Sequence, residues 1–153
     1  MKNVFYYDSD IGKIGIAEEN SFITNVFFGD ELKDFTINET PIMKEAHNQI
    51  EEYLKGERKY FDLPISPSGT KFQQRVWDAL KTIPYGKTVS YKDIAITVGN
   101  EKACRAVGMA NNRNPISIII PCHRVIGKNG KLIGYGGGLA IKEYLLRLEN
   151  SNL

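Results

Sequence analysis

The sequence of 153 residues is short of several features that define large classes of protein. It has no run of about 18 apolar residues, which excludes a membrane-spanning helix. Its two cysteines, Cys104 and Cys122, are too few for a disulfide scaffold, and its two histidines lie in no metal-ligand spacing with them, so we expect no metal site. The N-terminus lacks the apolar stretch of a signal peptide. We therefore expect both thiols to be reduced, in the cytoplasm.

Net charge is low, at +2 over the whole chain, but it is unevenly distributed. Residues 1–70 contain 7 Lys/Arg against 13 Asp/Glu, whereas residues 71–131 contain 11 against 3. A basic second half beside an acidic first half suggests that the second half binds a polyanion. Two solvated faces of opposite sign would give the same counts, and charge alone does not separate the two interpretations.

The first 65 residues predict a small α/β lobe. Three β-rich segments, VFYY, IGIA and FITNVFF, alternate with turn-forming residues, which is typical of an antiparallel meander. A helix with a one-sided apolar face follows and ends at Gly56. That face consists of Ile42, Ala46, Ile50, Tyr53 and Leu54. The segment DLPISPSG, rich in proline and serine, is the predicted linker to the second lobe.

Residues 66–153 predict a mainly helical lobe. Helical spacing in KFQQRVWDAL stops at the turn IPYGK. Ser90 and Asp93 then have the spacing of a capping box, which starts a short helix, and a second helix runs over residues 102–111. Helix, glycine-containing turn and helix form a candidate helix-turn-helix, an arrangement that many DNA-binding proteins use. Short helix pairs are also common in proteins that bind no DNA.

The apolar run SIIIP predicts a buried strand that ends at Pro121, because proline removes a ladder hydrogen bond. Cys122, His123 and Arg124 follow at once. A neighbouring base or cation can raise the thiolate fraction of a cysteine, so this cluster is a candidate nucleophilic site. Along a continuing strand His123 would point away from the thiol, and it can act as a base only if the chain turns or a water bridges the two groups. The alternative is a structural cysteine.

The chain continues through GKNGKLIGYGGG, in which glycines allow backbone N–H groups to approach a ligand closely. The last predicted helix starts at about Leu139, with Ile141, Leu145 and Leu148 on its inner face. Together the patterns predict an α+β protein. A small N-terminal α/β lobe, an antiparallel meander plus a helix, precedes a mainly helical C-terminal lobe that carries the helix-turn-helix.

The motif IPCHRV, with RAVG and NRNP before it and GYGGGLAIKEYLL after it, resembles the O6-alkylguanine-DNA alkyltransferases, or methylated-DNA–protein-cysteine methyltransferases. The resemblance covers about residues 70–149, with the motifs in the family's order and spacing, whereas residues 1–65 match only in general plan. It implies a DNA repair enzyme that flips O6-methylguanine, and O4-methylthymine, out of duplex DNA and transfers the alkyl group irreversibly to its own cysteine. It also implies a monomer that needs no cofactor and binds no membrane.

The same resemblance implies roles for individual residues. Cys122 would be the alkyl acceptor, His123 the base acting through a water, and Glu149 the carboxylate that orients His123. Asn114 would be the hinge residue that ties the active-site turn to the helix-turn-helix. Tyr91 would face the guanine ring, although a tyrosine at this position could also simply pack on the core.

DNA contacts and a substrate pocket follow from the same match. Arg105 would fill the space left by the flipped base, and the alternative for it is a phosphate contact. The other expected DNA contacts are Tyr91, Ala106, Gly108, Asn100, Lys102, Arg113 and Arg124. The expected pocket residues are Val125, Ile133, Tyr135 and Gly136. Backbone carbonyls of Cys122 and Val125 would accept from the guanine amine, and the N–H of Gly136 would face the guanine oxygen.

Two departures from the family pattern bear on the pocket. Ile133 stands where the family often has a small residue, and Gly136 replaces a serine found in some members; a β-branched residue at the pocket mouth would narrow the range of alkyl groups. Two classes of function remain. A single-turnover alkyltransferase requires a reactive Cys122, whereas a helix-turn-helix DNA-binding protein with a structural cysteine requires an inert thiol.

Overall fold

The computed structural model describes residues 2–29, 34–132, 134–135 and 137–153, and its chain divides into two units. The first comprises Met1–Ser68 together with Pro115–Ile119. The second comprises Gly69–Asn114 and Ile120–Leu153. Pro115–Ile119, five residues from the later part of the chain, therefore belong to the N-terminal unit. The predicted division into residues 1–65 and 66–153 assigns these five residues to the second part.

The first unit is built on a four-stranded sheet of order β3-β2-β1-β4. Strands β1 (Asn3–Tyr7), β2 (Ile14–Glu19) and β3 (Phe22–Phe28) pair antiparallel in sequence order, which confirms the predicted meander. The two-residue strand β4 (Thr36–Ile37) adds parallel to β1 and was not predicted. Helix α1 (Pro41–Leu54) packs on β2 and β3.

Two segments outside the meander bind along β3. The backbone of Ile23 exchanges hydrogen bonds with Pro64 and Ser66, so part of the predicted linker is attached to the sheet. The N–H of Val26 donates to the carbonyl of Pro115 at 2.9 Å, and its carbonyl accepts from Ser117 at 3.0 Å. These bonds attach Pro115–Ile119 to the first unit.

The second unit is mainly helical, as predicted. Helix α2 (Lys71–Leu80) begins with a capping box formed by Thr70 and Gln73. Helices α3 (Tyr91–Thr97) and α4 (Cys104–Asn112) pack on each other and on α2 and form the helix pair that the sequence indicates. Strands β5 (Val89–Ser90) and β6 (Val125–Ile126) pair parallel, and α5 (Leu139–Ser151) ends the chain. The predicted capping box of Ser90 and Asp93 is present with both hydrogen bonds.

The run SIIIP is buried, but the prediction that it forms a strand is wrong. Ile116 makes one isolated bridge with Val26, and the residues after it turn. Ile118 is 1% exposed and has a φ of +73°, while the N–H of Ile119 donates to the carbonyl of Ser117 at 2.8 Å. This i→i+2 bond closes a γ-turn with positive φ, a conformation that is rare and strained for a β-branched residue.

The inner face of α5 also differs from the prediction. Its buried residues are Lys142, Leu145 and Glu149, whereas Ile141 and Leu148 are only half-buried. The buried face of α5 therefore contains two ionisable side chains, Lys142 and Glu149, where apolar periodicity predicts Ile141 and Leu148. No helix in the described part of the chain is both long and apolar enough to cross a membrane.

Candidate active site

Cys122 lies where the chain turns sharply inside the second unit. Pro121 has φ −80° and ψ 62°, the N–H of Cys122 donates to the carbonyl of Ile120, and a 3-10 turn follows over Cys122–Arg124. Cys122, His123 and Arg124 are 4%, 0% and 7% exposed as whole residues. The tight turn thus brings three consecutive side chains into the interior, which a continuing strand could not do because alternate residues would point to opposite faces.

The Cys122 thiol is protonated in the resting protein. Burial raises its pKa to about 11, although a hydrogen bond with Asn114 and the positive charge of Lys142 act in the opposite direction. At neutral pH about one molecule in ten thousand would then carry a thiolate. A base that removes the proton is therefore needed for nucleophilic attack.

His123 and Glu149 form a buried hydrogen-bonded pair. The ring Nε2 of His123 lies 2.7 Å from Oε2 of Glu149, and both side chains are almost wholly buried. Because a carboxylate only accepts, Nε2 carries the proton and Nδ1 keeps the lone pair of the neutral ring. Burial lowers the pKa of His123 against the opposing effect of Glu149, so the ring is neutral at pH 7 and able to accept a proton.

Glu149 also binds Arg124 and the backbone of Gly86. Its Oε1 accepts from Nε of Arg124 at 2.9 Å and from the Gly86 N–H at 3.1 Å, and its Oε2 accepts from Nη2 of Arg124 at 3.0 Å. Arg124 further donates to the carbonyl of Ile83 at 2.7 Å and lies over the ring of Tyr85. The guanidinium of Arg124 is therefore occupied by partners within the protein, and the contact of Arg124 with DNA stays a prediction.

Lys142 is a buried residue that the sequence reasoning missed. Its Nζ donates to the carbonyl of Val125 at 2.6 Å and to that of Gly134 at 3.3 Å, so α5 holds both the segment after the active-site turn and the glycine-rich loop. Burial lowers the pKa of Lys142, and the proximity of Cys122 raises it. The signal was present in the sequence, since residues 142, 145 and 149 share one helical face.

Asn114 and Tyr91 both lie close to Cys122. The Asn114 amide donates to the carbonyl of Ile120 at 2.8 Å and hydrogen-bonds the thiol, so it links the end of the helix pair to the active-site turn. Tyr91, the first residue of α3, is half-buried, and its pKa is raised by burial and by the negative charge of a Cys122 thiolate. A Cβ added at Gly108 would lie 3.9 Å from two Tyr91 ring carbons, so α4 faces this ring.

The other predicted site residues divide into a surface group and a buried group. Asn100, Lys102, Arg105, Ala106 and Arg113 are exposed. Val125 is buried and Tyr135 half-buried. Ile133 and Gly136 lie outside the described residues. In the part of the chain that the structure describes, no group of three or more His, Cys, Asp or Glu side chains could hold a metal ion.

Two family models match the chain in consecutive segments. The 6-O-methylguanine DNA methyltransferase ribonuclease-like domain matches residues 4–67, and the DNA binding domain of the same family matches residues 71–151.

Two curated relatives match nearly the full length. The methylated-DNA–protein-cysteine methyltransferase of Methanosarcina acetivorans is 53% identical over 150 residues, which are 95% of this chain and 96% of that protein. The constitutive protein of the same name from Bacillus subtilis is 49% identical over 151 residues, or 93% and 92% of the two chains.

Solved structures show the same similarity. The crystal structure of the Mycobacterium tuberculosis O6-methylguanine methyltransferase superposes with a TM-score of 0.92 at 45% identity, covering 100% of this chain and 95% of that one. A crystal structure of the M. tuberculosis OGT in complex with DNA gives 0.92 at 46% identity, over 98% and 94%. With both domain models matched in order, this chain belongs to the 6-O-methylguanine DNA methyltransferase family.

Proposed function

We propose that this chain is a DNA repair alkyltransferase that moves the alkyl group of O6-methylguanine in duplex DNA to Sγ of its own Cys122. The observation that carries the proposal is the buried 3-10 turn, in which Cys122 is followed directly by His123 and the His123 ring is hydrogen-bonded to the Glu149 carboxylate. The relatives named methylated-DNA–protein-cysteine methyltransferase, at about half of residues identical, support the same reaction.

The reaction needs two proton transfers and one substitution. His123 accepts the Cys122 proton through Nδ1, by way of a water, and the thiolate attacks the methyl carbon. The bond between that carbon and O6 breaks, its electron pair remains on the guanine, and the guanine anion then takes up a proton from the protonated His123 or from water. The products are S-methylcysteine and guanine. The pKa of Tyr91 is raised, so its hydroxyl stays protonated at neutral pH and can donate a hydrogen bond to the negative charge that develops on the guanine.

The substrate base must leave the helical stack before it reaches a buried thiol, which costs a few kcal/mol. We assign this step to the exposed residues of the helix pair. Arg105 would occupy the vacated space, and Asn100, Lys102, Ala106 and Arg113 would contact the backbone. O4-methylthymine, which carries its methyl group on an exocyclic ring oxygen, would react by the same substitution.

We infer a cytoplasmic setting and a monomer. Cys104 and Cys122 are both free thiols, which is the state that a reducing compartment maintains. A protein that carries its nucleophile, base and carboxylate on one chain needs no second copy for the chemistry.

Mass spectrometry of the intact chain after incubation with O6-methylguanine duplex tests the proposal. One methyl group, about 14 Da, should appear on Cys122 and nowhere else, because thiol and lesion react one to one. With excess lesion DNA, repair should plateau at one base per chain, and Cys122→Ser should acquire no methyl group.

Two other results would contradict the proposal in different ways. An unmodified Cys122 together with sequence-selective DNA binding would support a helix-turn-helix binding protein with a structural cysteine. Continued turnover beyond one base per chain would show that the alkyl group does not stay on sulfur.

A further inference from the structure

Met109 is an exposed apolar residue on the outer side of α4. It is 59% exposed, and it is the one large apolar side chain of α4 that solvent reaches so freely. The helix buries Val107 and Ala110 on its other side. Exposed single apolar residues are common in proteins, so exposure alone indicates no function. The charged and apolar residues around Met109 indicate what kind of partner this surface can bind.

Met109 lies between two arginines, Arg105 in α4 and Arg113, the residue that caps the C-terminal end of α4. Arg105 precedes it by four residues and Arg113 follows it by four, which puts the three side chains in a row. Both arginines are exposed, and residues 102–113 contain no acidic side chain. A partner for this row must therefore tolerate positive charge on both sides of an apolar contact.

A groove of about 180 Å³ lies beside this row, between α4 and the start of α2. Met109, Phe72, Ala106 and Ala110 give it apolar walls, and the guanidinium-bearing Arg113 also lines it. The combination of an apolar wall and flanking cations matches the backbone of DNA, in which apolar deoxyribose rings alternate with anionic phosphates.

We propose that Met109 packs against the deoxyribose edge of the DNA backbone while Arg113, which lines the same groove, faces a phosphate. This inference rests on the proposed function, which makes duplex DNA the partner. A methionine suits the contact because it is unbranched and adapts to irregular surfaces. Since every nucleotide has the same sugar, the contact adds affinity without sequence preference, which a protein that searches for lesions anywhere requires.

The test measures duplex affinity against salt concentration. Met109→Ala should raise the Kd for an unmodified duplex about fivefold, since several apolar atoms lose their contact. The slope of log K against log salt should stay that of the natural sequence, because no phosphate contact is lost. Arg113→Gln should instead lower the magnitude of the slope by about 0.9. Met109→Leu, which keeps the apolar surface, should restore most of the affinity.

Matched controls make the outcomes separable. Tyr144→Ala removes an exposed aromatic side chain from α5 and should change neither the Kd nor the slope. Unchanged affinity in Met109→Ala overturns the inference, and so does a loss that comes with a reduced slope or that appears on only one of two duplexes of different flanking sequence. Failure of the proposed function would look different: the natural sequence would acquire no methyl group from lesion DNA, whatever residue 109 is.

Discussion

Glu149 is the residue on which most of the active-site geometry depends. Its two oxygens accept four N–H groups, from His123, Arg124 and Gly86. A buried carboxylate is tolerated when its lone pairs are paired in this way, and it then holds the neighbouring ring in one tautomer. The same carboxylate that orients the base also neutralises the buried guanidinium.

Glu149→Gln should therefore reduce both the rate of methyl transfer and the stability of the fold. We expect the single-turnover rate to fall at least about 100-fold, because the amide stabilises the protonated His123 poorly. We also expect the free energy of unfolding to fall by about 3 kcal/mol, since the buried Arg124 loses its counter-charge. Quenched-flow transfer assays below the melting temperature, and denaturant titration, measure the two effects.

Glu143→Gln is the matched control, on the same helix. Glu143 pairs with Arg147 at 2.6 Å, but both side chains are well exposed, so the loss should be under about 1 kcal/mol and the rate unchanged. Lesion affinity measured in a Cys122→Ser background should be nearly the same with Glu or Gln at position 149. An unaffected transfer rate in Glu149→Gln would mean that the carboxylate serves stability alone.

At the residue scale, the motif indicates the residues proposed for the reaction, but it does not indicate the buried charged residues that hold the active-site turn in place. Cys122, His123 and Glu149 come from the family pattern; the structure shows the hydrogen bond between His123 and Glu149, and the catalytic roles stay predictions. Lys142 and the enclosed position of Arg124 were missed, because periodicity treats charged residues as surface residues. Both side chains are buried with specific acceptors, and such pairings depend on other parts of the chain, such as Ile83 for Arg124 and Val125 for Lys142, that local spacing does not contain.

At the scale of secondary structure, the segment before Cys122 differs most from what the β propensity of its residues predicts. Isoleucines favour a strand, yet Ile116, Ile118 and Ile120 are buried without forming one. The backbone of Pro115–Ile119 is attached to β3 by hydrogen bonds, and the γ-turn at Ile118 then redirects the chain. Tertiary contacts thus override β propensity, which measures the fit of a side chain to a sheet surface rather than a backbone preference.

Strain at Ile118 can be measured by comparing alanine and glycine at two neighbouring buried positions. Both substitutions at Ile118 remove the side chain and destabilise the protein, but alanine keeps the penalty of a positive φ whereas glycine does not. At Ile120, which has no positive φ, alanine should be the better residue. The preference for glycine should therefore be larger at position 118 than at 120 by about 1–2 kcal/mol.

Chemical denaturation of the four variants gives this difference directly. Because each pair shares the same loss of isoleucine, the cavity cost largely cancels within the pair. Equal alanine–glycine differences at the two positions would show that the γ-turn carries no measurable strain.

At the scale of the whole molecule, the sequence predicts the α+β class and the order of the two parts, and the structure confirms both. The return of Pro115–Ile119 to the first unit was not predicted, because that pairing joins residues about ninety positions apart, Val26 and Ile116. The positive charge of the chain is concentrated in the part that would bind DNA. The basic residues 71–131 belong, apart from Pro115–Ile119, to the unit that holds the helix pair and Cys122.

Arg105 connects this charge to the repair reaction, and its replacement distinguishes two ways of using an arginine on α4. In an ordinary helix-turn-helix, Arg105→Ala would relax sequence preference by about 1–3 kcal/mol at one base pair. If Arg105 instead occupies the space of the flipped base, its loss removes part of the compensation for unstacking. Repair of duplex DNA should then slow about tenfold or more, at every flanking sequence.

Free O6-methylguanine needs no flipping and supplies the comparison. Transfer from the free base to Cys122 should stay within about twofold of the natural sequence in Arg105→Ala, because Arg105 is exposed and is not among the groups that shift the pKa of Cys122 or of His123. Lys102→Ala, which removes a charge from the same exposed surface, should weaken duplex binding and reduce its salt dependence without the same loss in the rate at saturating DNA. An equal loss on duplex and free base in Arg105→Ala would mean that the arginine supports the pocket, and it would remove Arg105 from the flipping step.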